Sequence, residues 1–225
     1  MKRITVLLAE DHQIVREGFR ALLKHEHDIE VVGEAADGRQ AVQLTRELRP
    51  AVVVMDIAMP LLNGLEATRQ IRRDFPDTKV LILSAHSDNA YVEQVAVLGA
   101  SGFLLKQTSS DNLATAIREV QKGNTVFSPA ISERLQGRNQ GSPDRGWQFK
   151  KRGNRLSSRE VEVLQLIAEG KPNKQVAAEL GVSFKTVDKH RQHLMAKLDI
   201  HDVSGLTRYA ISAGIIEGSV PVTII

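Results

Sequence analysis

Val52-Val53-Val54-Met55-Asp56-Ile57-Ala58-Met59-Pro60, closed by Asn63-Gly64, is the stretch whose reading decides the fold. A continuous apolar run bounded by turn residues predicts a strand buried on both faces, as the strands of parallel sheets are. The run ends on Asp56, and carboxylates are rarely buried without a partner. Open α/β sheets bind their ligands outside the carboxyl ends of their strands, which is where this carboxylate falls. Taken alone, Asp56 reads equally as a cap or turn starter ahead of Pro60. Its neighbours decide between the two.

Upstream, Ile4-Thr5-Val6-Leu7-Leu8-Ala9 predicts a strand ending at Glu10-Asp11. Residues 12–24 follow with Ile14, Val15, Phe19, Leu22 and Leu23 on one helical face. Glu30 to Ala35 predicts a short strand, and Asp37-Gly38 leads into the helical pattern Ala41, Val42, Leu44, Leu48. Downstream of the central strand lies a helix over about 64–74, stopped before Pro76. A fourth strand, Lys79 to Ser84, precedes a helix through Tyr91, Val92, Val95 and Leu98. Gly102 to Leu105 makes a fifth strand, and residues 109–122 a helix closed by Gly123. Strands and helices that alternate this way imply an α/β doubly wound, flavodoxin-like domain over residues 1–125.

The apolar periodicity then fades, and glycines with Arg, Asn and Gln mark a flexible linker at 126–153. Trp147 and the basic run Lys150-Lys151-Arg152 lie in it. Residues 154–225 read as a small all-α four-helix domain. Ser157 and Glu160 fit a capping box, and Val163, Leu164 and Ile167 give the first helix its face. Residues 173–180 form a short second helix with Val176, Ala177 and Leu180 inward, and Gly181-Val182 turn into a third helix capped by Ser183. Two helices joined this way are the helix-turn-helix signature. A fourth helix near 202–213 carries Val203, Leu206 and Ala210 as an apolar line predicted to be exposed. The apolar tail Val220 to Ile225 fits none of these elements.

Charge separates the halves. Residues 1–130 hold 15 Lys/Arg against 17 Asp/Glu, whereas 131–225 hold 15 against 10, so the second half suits a polyanion. The absence of cysteine removes disulfides, thiolate catalysis and Cys-type zinc sites. No apolar run is long enough for a membrane span, and the start lacks the pattern of a signal peptide, so a cytoplasmic protein is expected.

Four strand ends carry polar residues that can converge: Glu10-Asp11, Asp56, Ser84 and Lys106. Three clustered carboxylates repel one another and call for a cation, and oxygen ligands suit Mg²⁺. Lys106 adds the fixed positive charge a phosphate needs. On these residues the first half resembles the receiver domain of two-component response regulators. The resemblance implies that Asp56 accepts a phosphoryl group from a sensor histidine kinase. It also implies that Glu10, Asp11 and Asp56 hold Mg²⁺ with the Ala58 carbonyl, that Ser84 and Lys106 bind phosphoryl oxygens, and that Phe103 is the switch aromatic. Gln107 stands where many such domains have proline. Aspartyl-phosphate phosphatases share a strand-end Asp, but their second Asp falls at Ala58, which moves no proton. A regulator is therefore expected rather than an enzyme.

Residues 154–216 resemble the LuxR-type helix-turn-helix through Leu156-Ser157, Arg159-Glu160, Val163-Leu164, Gly170, Asn173-Lys174, Thr186-Val187, His190 and Lys197-Leu198. The whole chain thus resembles the NarL/FixJ class. Pro172 replaces the usual Ser cap, which leaves the capping to Asn173. On the third helix Val187, Leu194 and Leu198 face inward, opposite Lys185, Lys189 and Gln192, with Asp188 and His193 at the edges. Lys185, Thr186, Asp188, Lys189, His190, Gln192 and His193 are the candidate contacts to promoter DNA, Lys189 pointing most directly outward. The resemblance implies a homodimer when phosphorylated, with Val203, Leu206 and Ala210 at its interface. The alternative is a phosphorylation-controlled protein-interaction module that acts on another regulator.

Overall fold

The computed structural model describes residues 3–85, 95, 98–107, 110–127 and 156–216. Tyr91 and Val92, Trp147, the basic run at 150–152 and the apolar tail lie outside the described residues. The chain divides into two compact units, within Met1–Gln148 and Phe149–Ile225.

In the first unit β1 (Ile4–Ala9), β2 (Ile29–Ala35), β3 (Val52–Asp56), β4 (Lys79–Ser84) and β5 (Gly102–Leu105) form one parallel sheet in the order β2-β1-β3-β4-β5. Helices α1 (Gln13–Lys24), α2 (Gly38–Leu48), α3 (Gly64–Asp74) and α4 (Ser110–Gln121) lie among the described residues. Strand alternation splits the interior in two. Val53 and Met55 face a core completed by Ala41 of α2 and Leu65, Ala67 and Ile71 of α3. Val52 and Val54 face the opposite core, completed by Phe19 and Leu23 of α1 and Ile117 and Val120 of α4. Every residue of β3 is therefore buried. The doubly wound arrangement follows from that two-sided burial.

Two readings of this unit need correction. Ile14 is 85% exposed and Leu22 also faces solvent. The buried stripe of α1 runs through Val15, Phe19 and Leu23 at four-residue spacing, and one residue off that stripe is a 100° turn away. Val126 and Phe127, expected in the linker, belong to this unit. Val126 bridges Gly102, its carbonyl accepts from the Phe103 N–H at 2.8 Å, and Phe127 packs on the core. Val126 thereby satisfies backbone groups along the edge of β5.

Among its described residues the second unit has four helices, α5 (Ser158–Ala168), α6 (Asn173–Leu180), α7 (Phe184–Leu198) and α8 (Val203–Ser212). Val163, Leu164, Ile167, Leu194, Leu206 and Ala210 form its core. The Ser157–Glu160 capping box starts α5, and Lys197 Nζ lies 2.8 Å from Glu160 Oε2, tying the end of α7 to that start. Arg159 donates to the Leu180 carbonyl at 2.9 Å, satisfying an otherwise open acceptor at the end of α6. Asn173 does not cap α6. It is the first helical residue after Pro172, and its side chain accepts from Arg191 instead.

Candidate functional site

The strand register builds the acidic site. Ala9 pairs with Met55, Asp56 with Leu83 and Ser84 with Leu105. Glu10, Asp56, Ser84 and Lys106 therefore lie within a residue of one level at the carboxyl edge. Alternation puts Glu10, Asp56 and Lys106 on the same side of the sheet. Lys106 Nζ lies 2.8 Å from Glu10 Oε2 and 2.9 Å from Asp56 Oδ2, bridging the two carboxylates. Asp11 Oδ1 sits 2.8 Å from His12 Nδ1, and Glu10, Asp11 and His12 can bring three ligand atoms within 4.8 Å of one another. Ser84 is buried at the end of β4, where its carbonyl accepts the Lys106 N–H at 2.8 Å. Phe103 is buried in β5 against the α2–α3 core.

Burial, reinforced by the charge of Glu10, raises the Asp56 carboxyl above the usual carboxylate range against the pull of Lys106. For Lys106, burial works to lower the pKa. The bond to Glu10 and the charge of Asp56 outweigh it, so the ammonium is held charged. Asp11, against a smaller effect of burial, raises His12. Lys106 Nζ lies beside Glu10 Oε2 and Asp56 Oδ2, and the His12 ring beside Asp11 Oδ1, yet none of these three oxygens has a hydrogen-bond partner. Ion-pair distance without hydrogen-bond alignment leaves lone pairs open. Two of these oxygens come from deeply buried side chains. A small, hard divalent cation fits such an oxygen set.

In the second unit Ser183 Oγ accepts from the Thr186 N–H at 3.1 Å and fixes the start of α7. Val187 and Leu194 are buried, while Lys185, Lys189, Gln192 and His193 are exposed and Thr186, Asp188 and His190 half-buried. Gln192 Nε2 donates to Asp188 Oδ2 at 3.0 Å. Asp188 is thus turned along the helix toward its neighbour one turn on. The expected dimer line does not exist as a surface: Leu206 and Ala210 are 0% exposed, and only Val203 of the three is open to solvent. Helical spacing placed the three together, but the face they share is the one α5 covers.

Residues 6–118 match the response regulator receiver domain and residues 154–210 the bacterial regulatory proteins of the luxR family. Over 218 residues the chain is 39% identical to the oxygen regulatory protein NreC of Staphylococcus aureus, covering 94% of this chain and 99% of that protein. The chain belongs to the response regulators. This response regulator also resembles the signal receiver domain of NarL from Mycobacterium tuberculosis, at 34% identity and a TM-score of 0.54, over 55% of this chain and 100% of that one. The response regulator RcsB in its complex with DNA is similar at 28% identity and a TM-score of 0.55, over 94% of this chain and 99% of that one. The regulator carries a LuxR-type DNA-binding domain and is a transcription regulator; the protein-interaction alternative is not favoured.

One part of the response regulator's receiver site was not visible in sequence. A Cβ at Gly64 would lie 1.9 Å from the Asp56 carbonyl oxygen, and one at Gly38 2.0 Å from the Leu62 carbonyl oxygen. The loop holding Ala58 is pinned between the starts of α2 and α3 because neither residue has a side chain. Asn63 completes it by accepting the Glu66 N–H at 2.9 Å. The Asn63-Gly64 pair was legible as a turn but not as this close approach.

Proposed function

We propose that Asp56 is the phosphoacceptor of a receiver at residues 1–125, and that its phosphorylation controls promoter binding by the domain at 154–225, across a linker. A sensor histidine kinase is the proposed donor: an Asp56 oxygen bonds to phosphorus as the P–N bond to the kinase imidazole breaks. The observation that carries this reading is the Lys106 ammonium 2.8–2.9 Å from both Glu10 and Asp56 at one sheet edge. Glu10, Asp11, Asp56 and the Ala58 carbonyl would hold Mg²⁺, which offsets negative charge at the site when bound. Lys106, held charged, pairs with the phosphoryl oxygens, and Ser84 supplies a hydroxyl to them. Phe103 is the aromatic that changes position with Ser84.

The added group brings about −1.5 to −2 charges. Charge-assisted hydrogen bonds contribute roughly 1.5–3 kcal/mol each, so two approach the ~5.5 kcal/mol that moves a state from 1:99 to 99:1. In the DNA-binding domain, α7 enters the major groove with Lys185, Thr186, Asp188, Lys189, His190, Gln192 and His193 at or beside the bases. The active form is a homodimer on two half-sites about 10 bp apart or closer, working in the cytoplasm.

Intact-mass measurement with acetyl phosphate and Mg²⁺ is expected to show one added phosphoryl group, lost with a chelator and in Asp56→Ala. Labelling that survives Asp56→Ala overturns the assignment.

A further inference from the structure

The recognition helix opens on a side chain that no role above uses. Phe184, the first residue of α7, is 57% exposed and is the one aromatic among the large exposed apolar side chains of the described residues. The core of its unit is complete without it. An isolated exposed apolar residue is ordinary, so its location has to carry the inference.

That location is specific. Ser183 caps the helix, so Phe184 holds the first helical position, where the Cα–Cβ bond tilts toward the amino terminus and the ring stands at the leading end. Recognition helices read bases with this end. At four-residue spacing Phe184, Asp188 and Gln192 make one row, with Lys185 and Lys189 in the next. Asp188 and Gln192 already bond to each other, so the polar part of the row is internally ordered behind the ring. A phenyl ring gains nothing from a phosphate and cannot pair with the polar atoms of a base edge. The one apolar group displayed in the major groove is the C5-methyl of thymine.

We propose that Phe184 determines specificity by packing its ring on a thymine methyl group in the major groove. This rests on the reading that α7 enters that groove. The lysines then supply attraction and polar readout on one side, and the ring supplies discrimination for an A·T pair on the other.

The test uses the full chain treated with acetyl phosphate and Mg²⁺, and a duplex selected by the wild type from randomised double-stranded DNA. Each thymine is replaced singly by deoxyuridine, which removes only the methyl group. Wild type is expected to lose about fourfold in affinity at one or two positions, the equivalent of ~0.8 kcal/mol for one buried carbon. Phe184→Ala is expected to bind the thymine duplex more weakly and to be indifferent to uracil at those positions. Phe184→Leu, which keeps an apolar side chain, is expected to retain part of the sensitivity. The proposal is overturned if Phe184→Ala and wild type share one uracil profile, or if Phe184→Ala weakens every duplex equally, as a contact to sugar would. If wild type selects no preferred duplex, the major-groove reading of α7 falls and the proposal with it. Thermal midpoints of both variants check that they fold.

Discussion

Replacing Gly64 by alanine tests whether the strand that ends on Asp56 is held by a backbone contact. The added Cβ would meet the Asp56 carbonyl oxygen at 1.9 Å, its carbonyl carbon at 2.8 Å and Ile57 Cα at 3.1 Å. Non-bonded contact needs roughly 3.5 Å, so strand end and helix start must part by on the order of 1 Å or more. All three atoms are backbone, so no side-chain rotation relieves the clash. The Gly64 N–H bond to the Ile57 carbonyl, 2.8 Å long, resists the separation. Overpacking costs about 1–3 kcal/mol and occasionally more. Alanine's helix propensity returns about 1 kcal/mol at most. Three clashing backbone atoms put the cost at the upper end of that range, so the net is a loss of up to about 2 kcal/mol, which lowers a urea midpoint by up to roughly 1 M. A reacting group displaced by about 1 Å loses around 10²-fold in rate. Urea unfolding and the initial rate of phosphorylation by acetyl phosphate measure the two effects. A Gly64→Ala protein with the wild-type midpoint and rate would refute the reasoning, because propensity alone predicts a gain.

Arg118 donates to both oxygens of Asp28, at 2.7 and 2.8 Å, and to Glu26. The bonds to Arg118 push Asp28 down to about 2 from an ordinary 3.8, so their stabilisation is present above 3.8 and lost as pH falls through about 2. Arg118→Ala is expected to cost about 1 kcal/mol near neutral pH, allowing for solvent screening of a half-exposed pair, and progressively less as pH falls below 3.8 and through about 2; urea titrations across that range measure it. Ser84→Ala is expected to accept the phosphoryl group but respond weakly in DNA binding, and a wild-type gain on phosphorylation would remove Ser84 from the switch. Lys189→Ala is expected to lose about 1–3 kcal/mol at one base pair, read from single-base variants of the site; an equal shift across all variants would make Lys189 a phosphate contact. Asp188→Ala releases the Gln192 amide and is expected to relax preference at one position, whereas uniformly tighter binding, larger at low salt, would mean that Asp188 only repels.

The sheet was legible because a strand buried on both faces must be apolar throughout, as Val52 to Met55 is. The acidic site was legible for the same reason: Glu10, Asp56 and Lys106 end such runs, and a parallel sheet brings those ends to one edge. What stayed hidden depends on which face a neighbour covers. Ile14 and Leu22 look as apolar as Phe19, but α1 buries only the Phe19 stripe. Leu206 and Ala210 share a helical face with Val203, and periodicity cannot say that α5 already occupies it. Gln165 is a polar residue in the buried turn of α5, its amide bonded to Glu169 at 2.8 Å, where composition predicts exposure. Gly64 and Arg118 act through segments remote or reversed in the chain, and no local pattern marks them.

The central position of β3 also has a kinetic consequence. Its partners β1 and β4 are parallel to it and reach it only across intervening helices, so no hairpin can cover it early. Until those crossovers close, a β-branched apolar segment lies open to other chains, and such segments drive strand-to-strand association. Charges that flank them hold that association back. Asp56 is the only charge between Arg49 and Glu66. The carboxylate proposed to accept the phosphoryl group is thus also the one charge placed to hold back that association. Asp56→Ala, the natural choice of unphosphorylatable control, leaves the whole interval uncharged, which lower refolding yields at micromolar concentration would register, while Asp56→Glu keeps the charge.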